Sequence, residues 1–372
     1  MIKLEDIKVY HDDIAEYYKT IHQNPELGLM EFETGKYVAN KLREFNIEVI
    51  ENVVRTGVIG ILKGTNNGKT VALRADMDAL PIEEETGLEF SSKNKGIMHA
   101  CGHDAHTAML LGAAKYLSNH RDLINGTIKF IFQPGEEGIA EEAEPMDGEG
   151  AGGAYYVVRE GHLKDVDGCF AIHVNPEINT GEIFVNRNVS MASTDMFTII
   201  INGKSGHGAA PESAIDPIPA LSEILSACNM LPSREMSPLE PCVVSVGTVN
   251  TISSFWNIIP GKVEITGTFR TFDAEVRETI NTRLKEIAEN ISKAHRCKGE
   301  YIRDKGYYPT VNDENMSKLA VSVGNQCLGE GKAIMKEKPS TGGEDVGEYF
   351  KVVPGALIWM GCKKPDNKEI TF

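Results

Sequence analysis

The sequence predicts an α/β protein whose mixed sheet carries helices on both faces and is interrupted by a smaller inserted α+β domain. Three observations predict it. The 372 residues exceed one ordinary core and suit two domains. Strand and helix signals alternate up to about residue 185 and again from about 305. Between 186 and 304 their order becomes β-α-β-β-α-β, the ferredoxin-like signature. The expected division is therefore 1–185 with 305–372 as one domain and 186–304 as the other.

Each element follows from its pattern. Ile7, Tyr10, Ile14, Tyr17 and Ile21 step by three and four, one face of a helix that stops before Pro25. Thr34 is expected to cap a second helix, with Val38, Leu42 and Phe45 inward. Strands are expected at 58–62 and 70–74, a helix at 104–118, a strand at 128–132, a helix at 151–160 and a strand at 169–173. The insert reads as strand 197–201, helix 216–230, strands 243–249 and 263–269, a helix with Val276, Ile280, Leu284, Ile287 and Ile291 inward, and strand 299–303. Residues 319–327 then read as helix and 356–360 as a core strand.

Composition narrows the function. Hydrophobic residues make up 41% and charged residues 25%, which fits a folded chain in water and disfavours disorder. The formal net charge of −16 repels phosphate backbones and anionic lipid, so neither nucleic acid nor a membrane is an expected partner. The 7 cysteines are odd in number and form no C-x-x-C clip or compact disulfide framework. The first residues lack a signal-peptide pattern, and no apolar stretch reaches the ~20 residues that span a bilayer. A reducing cytoplasm is the expected location.

Potential metal donors are densest at His99-Ala100-Cys101-Gly102-His103-Asp104-Ala105-His106. A thiolate and an imidazole separated by one glycine, at an expected strand-to-helix turn, can converge on a zinc-like ion. A lone Cys-x-His is more often a buried cysteine beside incidental histidines. Its surroundings favour the site. Glu136 and Glu137 follow the strand 128–132, where one carboxylate can ligate a cation while the other takes a proton from an attacking water. An exposed acidic turn is the commoner fate of such a pair, and fits Glu141, Glu142 and Glu144. His173 stands at the expected C-terminal end of strand 169–173, where open α/β sheets place ligand-binding groups. Asp76 and Asp78 end another strand and can orient a ligating histidine or the base.

With these motifs in hand, the sequence resembles the two-domain, di-metal amidohydrolases and carboxypeptidases. That family includes hippurate hydrolase, N-acetyldiaminopimelate deacetylase, bacterial aminoacylases and plant auxin-conjugate hydrolases. The resemblance runs from His22-Gln23-Asn24-Pro25-Glu26-Leu27-Gly28 to Trp359-Met360-Gly361, and includes the Arg-Ala-Asp-Met-Asp-Ala-Leu-Pro and Gln-Pro-x-Glu-Glu-Gly blocks. It implies that Cys101 is a bridging thiolate, that His103, Glu137 and His173 are further ligands, and that Glu136 is the general base. It implies two divalent metal ions per subunit, of the zinc, manganese, cobalt or nickel type. The implied substrate is a small N-acyl amino acid, cleaved to a carboxylic acid and a free amino acid. The insert becomes a lid that joins two copies into a homodimer. In Gly203-Lys204-Ser205-Gly206-His207, His207 resembles the histidine that reaches a partner subunit's site and stabilises the oxyanion, while Asn257 and Arg270 resemble groups that hold the substrate carboxylate. Surface Asn and Arg are usually just solvated. A Ser205–His207 nucleophile pair is a weaker alternative, since no G-x-S-x-G elbow surrounds it. His99 and His106 read as structural.

The match holds to Gly342-Gly343-Glu344-Asp345, for which an exposed acidic turn is the plain alternative. Beyond it, family members carry one more histidine ligand and a final helix. Here the last histidine is His295 and the sequence ends at Phe372. One metal position is therefore expected to be a ligand short. Cys362, Asp366 and Glu369 are the nearest donors, without a spacing that recommends them. Two expectations follow: a working or ancestrally working amidohydrolase cut short, or an inactive relative that binds a metal or a partner without turnover. An uncovered core face would also lower solubility or be covered by dimer contacts.

Overall fold

The computed structural model describes residues 4–143, 146, 151–251 and 255–363. Glu144, Asp366 and Glu369 lie outside them. The chain divides into two compact units, one formed by Met1–Ser190, Thr310–Pro339 and Asp345–Phe372, the other by Met191–Pro309 and Ser340–Glu344.

The first unit is built on an 8-stranded mixed sheet in the order Glu48–Val53, Gly57–Lys63, Asn125–Gln133, Asn66–Asp76, Gly168–Asn179, Gly355–Lys363, Ile183–Asn186 and Ala333–Lys336. The four central strands run parallel, as the strand-helix alternation requires, and antiparallel pairs flank them. The edge strand Glu48–Val53 and the two short strands Ile183–Asn186 and Ala333–Lys336 were not legible as periodic runs. Helices His11–His22, Phe32–Glu44 and His103–Asn119 bury Tyr17, Ile21, Val38, Leu42, Ala108, Leu111 and Ala114 against Leu62, Phe130 and Phe132. On Glu314–Leu328, Leu319 and Val323 are half exposed and line an apolar cavity of about 420 Å³ with Met109, Leu110 and Phe170.

Thr34 does not cap its helix. The helix begins two residues earlier, at Phe32, and Thr34 is buried inside its first turn. Glu26 supplies the cap from outside: its carboxylate accepts the Glu33 N–H at 3.2 Å, the Thr34 N–H at 2.8 Å and the Thr34 hydroxyl at 2.8 Å. A carboxylate there satisfies orphan donors and meets the positive end of the helix dipole. Glu26→Ala should therefore cost about 0.5–2 kcal/mol, the usual cost of a lost cap, read as a lower urea midpoint.

In the second unit, Cys242–Thr251, Lys262–Thr271, Asp195–Asn202 and Lys298–Lys305 form a 4-stranded antiparallel sheet in that order. Helices Ile218–Arg234 and Ala274–Ala294 join its strands in the β-α-β-β-α-β order expected from the sequence. Phe197, Ile199, Val263, Ile265 and Phe269 pack with Ile224, Leu231, Ile280 and Leu284. Asp195 is buried between Arg277, bonded at 2.6 and 2.9 Å, and Arg303 at 2.9 Å, so its charge is paired as a buried charge must be.

Candidate metal centre

The sheet opens where the candidate donors gather. Strand Asn66–Asp76 stays paired with Asn125–Gln133 to its last residue, Asp76 opposite Gln133. Its pairing with Gly168–Asn179 stops at Arg74 opposite Ala171. His173 thus lies just past the parting of two parallel strands, the crevice where such sheets bind ligands. It is not at its strand's end, because Gly355–Lys363 continues the pairing on the other side, with Trp359 opposite His173 and Met360 opposite Val174. Cys101 likewise does not follow a strand; Met98 makes only an isolated bridge to Leu80. The turn into helix His103–Asn119 uses Gly102 at φ +89°, where a Cβ would also sit 2.4 Å from Val174 Cγ2. The glycine between Cys101 and His103 is therefore required by both conformation and space.

Cys101 Sγ lies 3.5 Å from His173 Nε2. Cys101, His103 and His173 offer donor atoms within 4.8 Å of one another, and so do His103, Glu136 and Glu137. His103 is common to both groups. Its Nδ1 bonds Asp78 Oδ1 at 3.1 Å, while its Nε2 is buried with no hydrogen-bond partner, 3.7 Å from Glu136 Oε2 and 3.8 Å from Asp76 Oδ2. An orphaned ring nitrogen among a thiol, a second imidazole and carboxylates is a donor set that fits a zinc-like cation. His173 is prepared in the same way: its Nδ1–H donates to the Val174 carbonyl at 2.7 Å, leaving Nε2 as the lone-pair donor.

The electrostatics agree. Burial opposes charge on His103, yet Asp76 and Asp78 outweigh it and raise its pKa well above the usual value, so the site favours positive charge at that ring. Burial also opposes charge on Asp76, but His103 and Arg74 hold its carboxyl well below the usual range. Burial pushes His173 down to about 3 and the Cys101 thiol upward, the latter countered in part by His103. His106 has no lone pair to spare: Nδ1–H donates to Asp76 Oδ1 at 2.6 Å and Nε2 accepts the Val174 N–H at 2.9 Å. It ties two strands together. His99 is buried with neither ring nitrogen bonded, and burial pushes it down to about 4.

The pair Glu344-Asp345 is no exposed turn, since each residue is 1% exposed. Asp345 accepts Arg74 Nη2 at 2.9 Å, Gln133 Nε2 at 2.8 and 2.9 Å, and the Ala154 N–H at 2.9 Å. Its own N–H donates to Glu136 Oε1 at 3.3 Å. On the other side the Glu137 N–H donates to Asp78 Oδ2 at 2.7 Å, so both neighbouring glutamates are oriented by aspartates.

In the second unit, His207 and Asn257 come together on the two-stranded ribbon Gly206–His207 and Ile258–Ile259, where His207 pairs with Ile258 and Gly208 N–H donates to the Asn257 carbonyl at 2.8 Å. His207 is exposed, and Asn257 Oδ1 is buried without a partner. Arg270 is half-buried on Lys262–Thr271, where burial lowers its pKa against Asp195 and Tyr307. The Ser205–His207 nucleophile pair is not formed: the Ser205 hydroxyl donates to the Ile259 carbonyl at 2.9 Å, and His207 Nδ1 accepts the Ala209 N–H at 3.1 Å.

Several residues around the site carried no signal of their own. His22 lies between Asp104, at 2.6 Å, and Glu84, at 3.1 Å, and the hydrogen bond it donates to Asp104 leads the causes that raise its pKa. Arg74 and Gln133 stand inside quoted motifs, and Glu31 stands outside them; all three are buried.

A family model described as peptidase family M20/M25/M40 matches residues 72–370. The chain is 39% identical over 341 residues to N-acetyl-L-cysteine deacetylase of Bacillus subtilis, covering 92% of this chain and 78% of that protein. It is 38% identical over 342 residues to hippurate hydrolase of Campylobacter jejuni, covering 91% and 85%. Among solved structures, a dinuclear metal-binding M20 peptidase of Bacillus subtilis superposes with a TM-score of 0.80 at 35% identity, over 98% of this chain and 92% of the other. The chain therefore belongs to peptidase family M20/M25/M40 and is a hydrolase of the metal-dependent type.

Proposed function

We propose that the protein hydrolyses the amide bond of N-acyl amino acids, releasing a carboxylic acid and a free amino acid. The observation that carries this reading is the buried, unpartnered Nε2 of His103 among Cys101, His173, Glu136 and Glu137. The names of relatives such as N-acetyl-L-cysteine deacetylase and hippurate hydrolase support the acyl-amino-acid class. Cys101, His103, Glu137 and His173 would hold two divalent cations, with Asp76 and Asp78 supporting the ligands. Cations bound there supply Lewis-acid polarisation of the amide carbonyl and make water a better nucleophile near neutral pH.

The chain's own part is proton transfer and positioning. Glu136 takes a proton from the attacking water and returns it to the leaving amine nitrogen, so one water is consumed for each amide cleaved. Asn257 and the Arg270 guanidinium hold the substrate carboxylate. The second unit acts as lid and dimer contact, and carries His207 to the oxyanion of a partner subunit's site. No helix among the described residues is long and apolar enough to cross a membrane. The 7 free cysteines suit the reducing cytoplasm proposed as its location.

Metal content measured beside amino-acid release from N-acetyl and N-benzoyl amino acids tests the reading. About two divalent ions per chain with release of free amino acid is the expected result. Fewer ions and no release favours the inactive relative. Cys101→Ala should lose most of the metal, and full retention removes Cys101 from the ligand set.

A further inference from the structure

We propose that Glu31 is a positioning residue for the metal centre, fixing the amide of Gly135 and through it the loop that carries Glu136 and Glu137. The inference rests on the roles given above to those two glutamates.

A lone acid beside a helix start is ordinarily solvated. Glu31 is 0% exposed, and both of its oxygens are committed. Oε1 accepts the Gly135 N–H at 2.8 Å across 104 positions of sequence, and Oε2 accepts the Thr56 hydroxyl at 2.5 Å. Pro134 has no N–H, so Gly135 offers the first amide of the loop after strand Asn125–Gln133. Gly135 has φ +63°, and its carbonyl accepts the Gly153 N–H at 2.8 Å. Two residues on, the Glu137 N–H is held by Asp78, which also holds His103. The loop is therefore pinned at Gly135 by Glu31 and at Glu137 by Asp78, with Glu136 between the two pins.

The backbone leading to Glu31 fits the same loop. A Cβ on Gly28 would stand 2.0 Å from the Gly138 carbonyl oxygen and 3.1 Å from Gly135 Cα. Leu29 takes φ +62° and places its side chain against Gly135. Burial, then the charge of Asp78, pushes the Glu31 carboxyl up to about 8. A glutamine can reproduce both hydrogen bonds: its carbonyl accepts from Gly135 while its amide donates to the Thr56 oxygen.

The test measures Zn²⁺ affinity by chelator competition, hydrogen exchange over residues 134–138, and kcat and KM, on folded wild type and variants checked by circular dichroism. Glu31→Ala should weaken Zn²⁺ binding about 10–100-fold, the usual loss on removing support from a ligand shell. It should also speed exchange in the loop and lower kcat more than it raises KM. Glu31→Gln should stay within a few-fold of wild type, because its side-chain amide keeps both hydrogen bonds that Glu31→Ala removes. A folded Glu31→Ala with wild-type affinity and exchange overturns the proposal, as does a Glu31→Gln variant as impaired as Glu31→Ala. If Glu31→Ala does not fold, Thr56→Val, which frees one oxygen, must show a smaller loss in the same direction; no change overturns it. Absence of hydrolysis in wild type counts against the functional reading, while loop exchange still decides the role of Glu31.

Discussion

Replacing Glu136 with glutamine should lower turnover by about 10²–10⁴-fold, the usual contribution of a positioned acid or base, while the fold and the metal content persist. Glu136 is 5% exposed, with Oε1 accepting the Asp345 N–H and Oε2 facing His103 Nε2 at 3.7 Å. An amide keeps the size and the bond to Asp345, but it cannot accept a proton and return it. The change therefore isolates proton transfer from binding, so kcat should fall with KM little altered. Metal content and kcat measured on the same preparation check it. Retained turnover would remove Glu136 as the base and require another carboxylate in the site to do its work.

The largest loss of stability is expected from Arg74→Met. Arg74 donates from Nη1 to Asp76 Oδ2 at 2.7 Å, from Nη2 to Asp345 Oδ1 at 2.9 Å and from Nε to Gln133 Oε1 at 3.0 Å, with its side chain 1% exposed. Methionine fills much of the volume but removes the guanidinium that two buried carboxylates share. Breaking a buried pair in this way costs about 3–5 kcal/mol. Lysine should rescue little, because a single ammonium cannot serve three acceptors in the plane of a guanidinium. Adding Asp345→Asn should recover part of the loss, since the two changes act on one network. Urea unfolding of the single and double variants measures both effects. A cost under about 1 kcal/mol would mean that the two aspartates do not both carry charge in the folded protein.

What the sequence made legible was local in the chain. Cys101, His103, Glu136 and Glu137 lie in short motifs and His173 lies in an apolar run, which marks each as a candidate, while the resemblance to a known family, rather than spacing, implies that they form one set. The supports were hidden because their contacts are remote: Gln133 meets Asp345 across 212 positions and Arg74 meets it across 271. Glu31 and Glu344 read alone as solvated acids, and only the fold reveals that they are buried. Thr34 misled for a related reason. Local rules assign a cap to the nearest Ser or Thr, whereas this helix takes its cap from Glu26, held nearby by tertiary packing. Four-residue strands such as Ile183–Asn186 are too short to show a period, and pairing with longer strands makes them.

The pairing of His173 with Trp359 also sets an order of events during synthesis. All four proposed ligands, from Cys101 to His173, leave the ribosome before the second unit is made, whereas Asp345 and the strand Gly355–Lys363 follow it. At translation rates of about 5–20 residues per second, the donors wait roughly 10–40 s for that strand. During that interval a thiol and two imidazoles are present without the sheet neighbour that holds His173 in place. Completion of the centre is therefore a late event, timed by a strand that carries none of the proposed ligands.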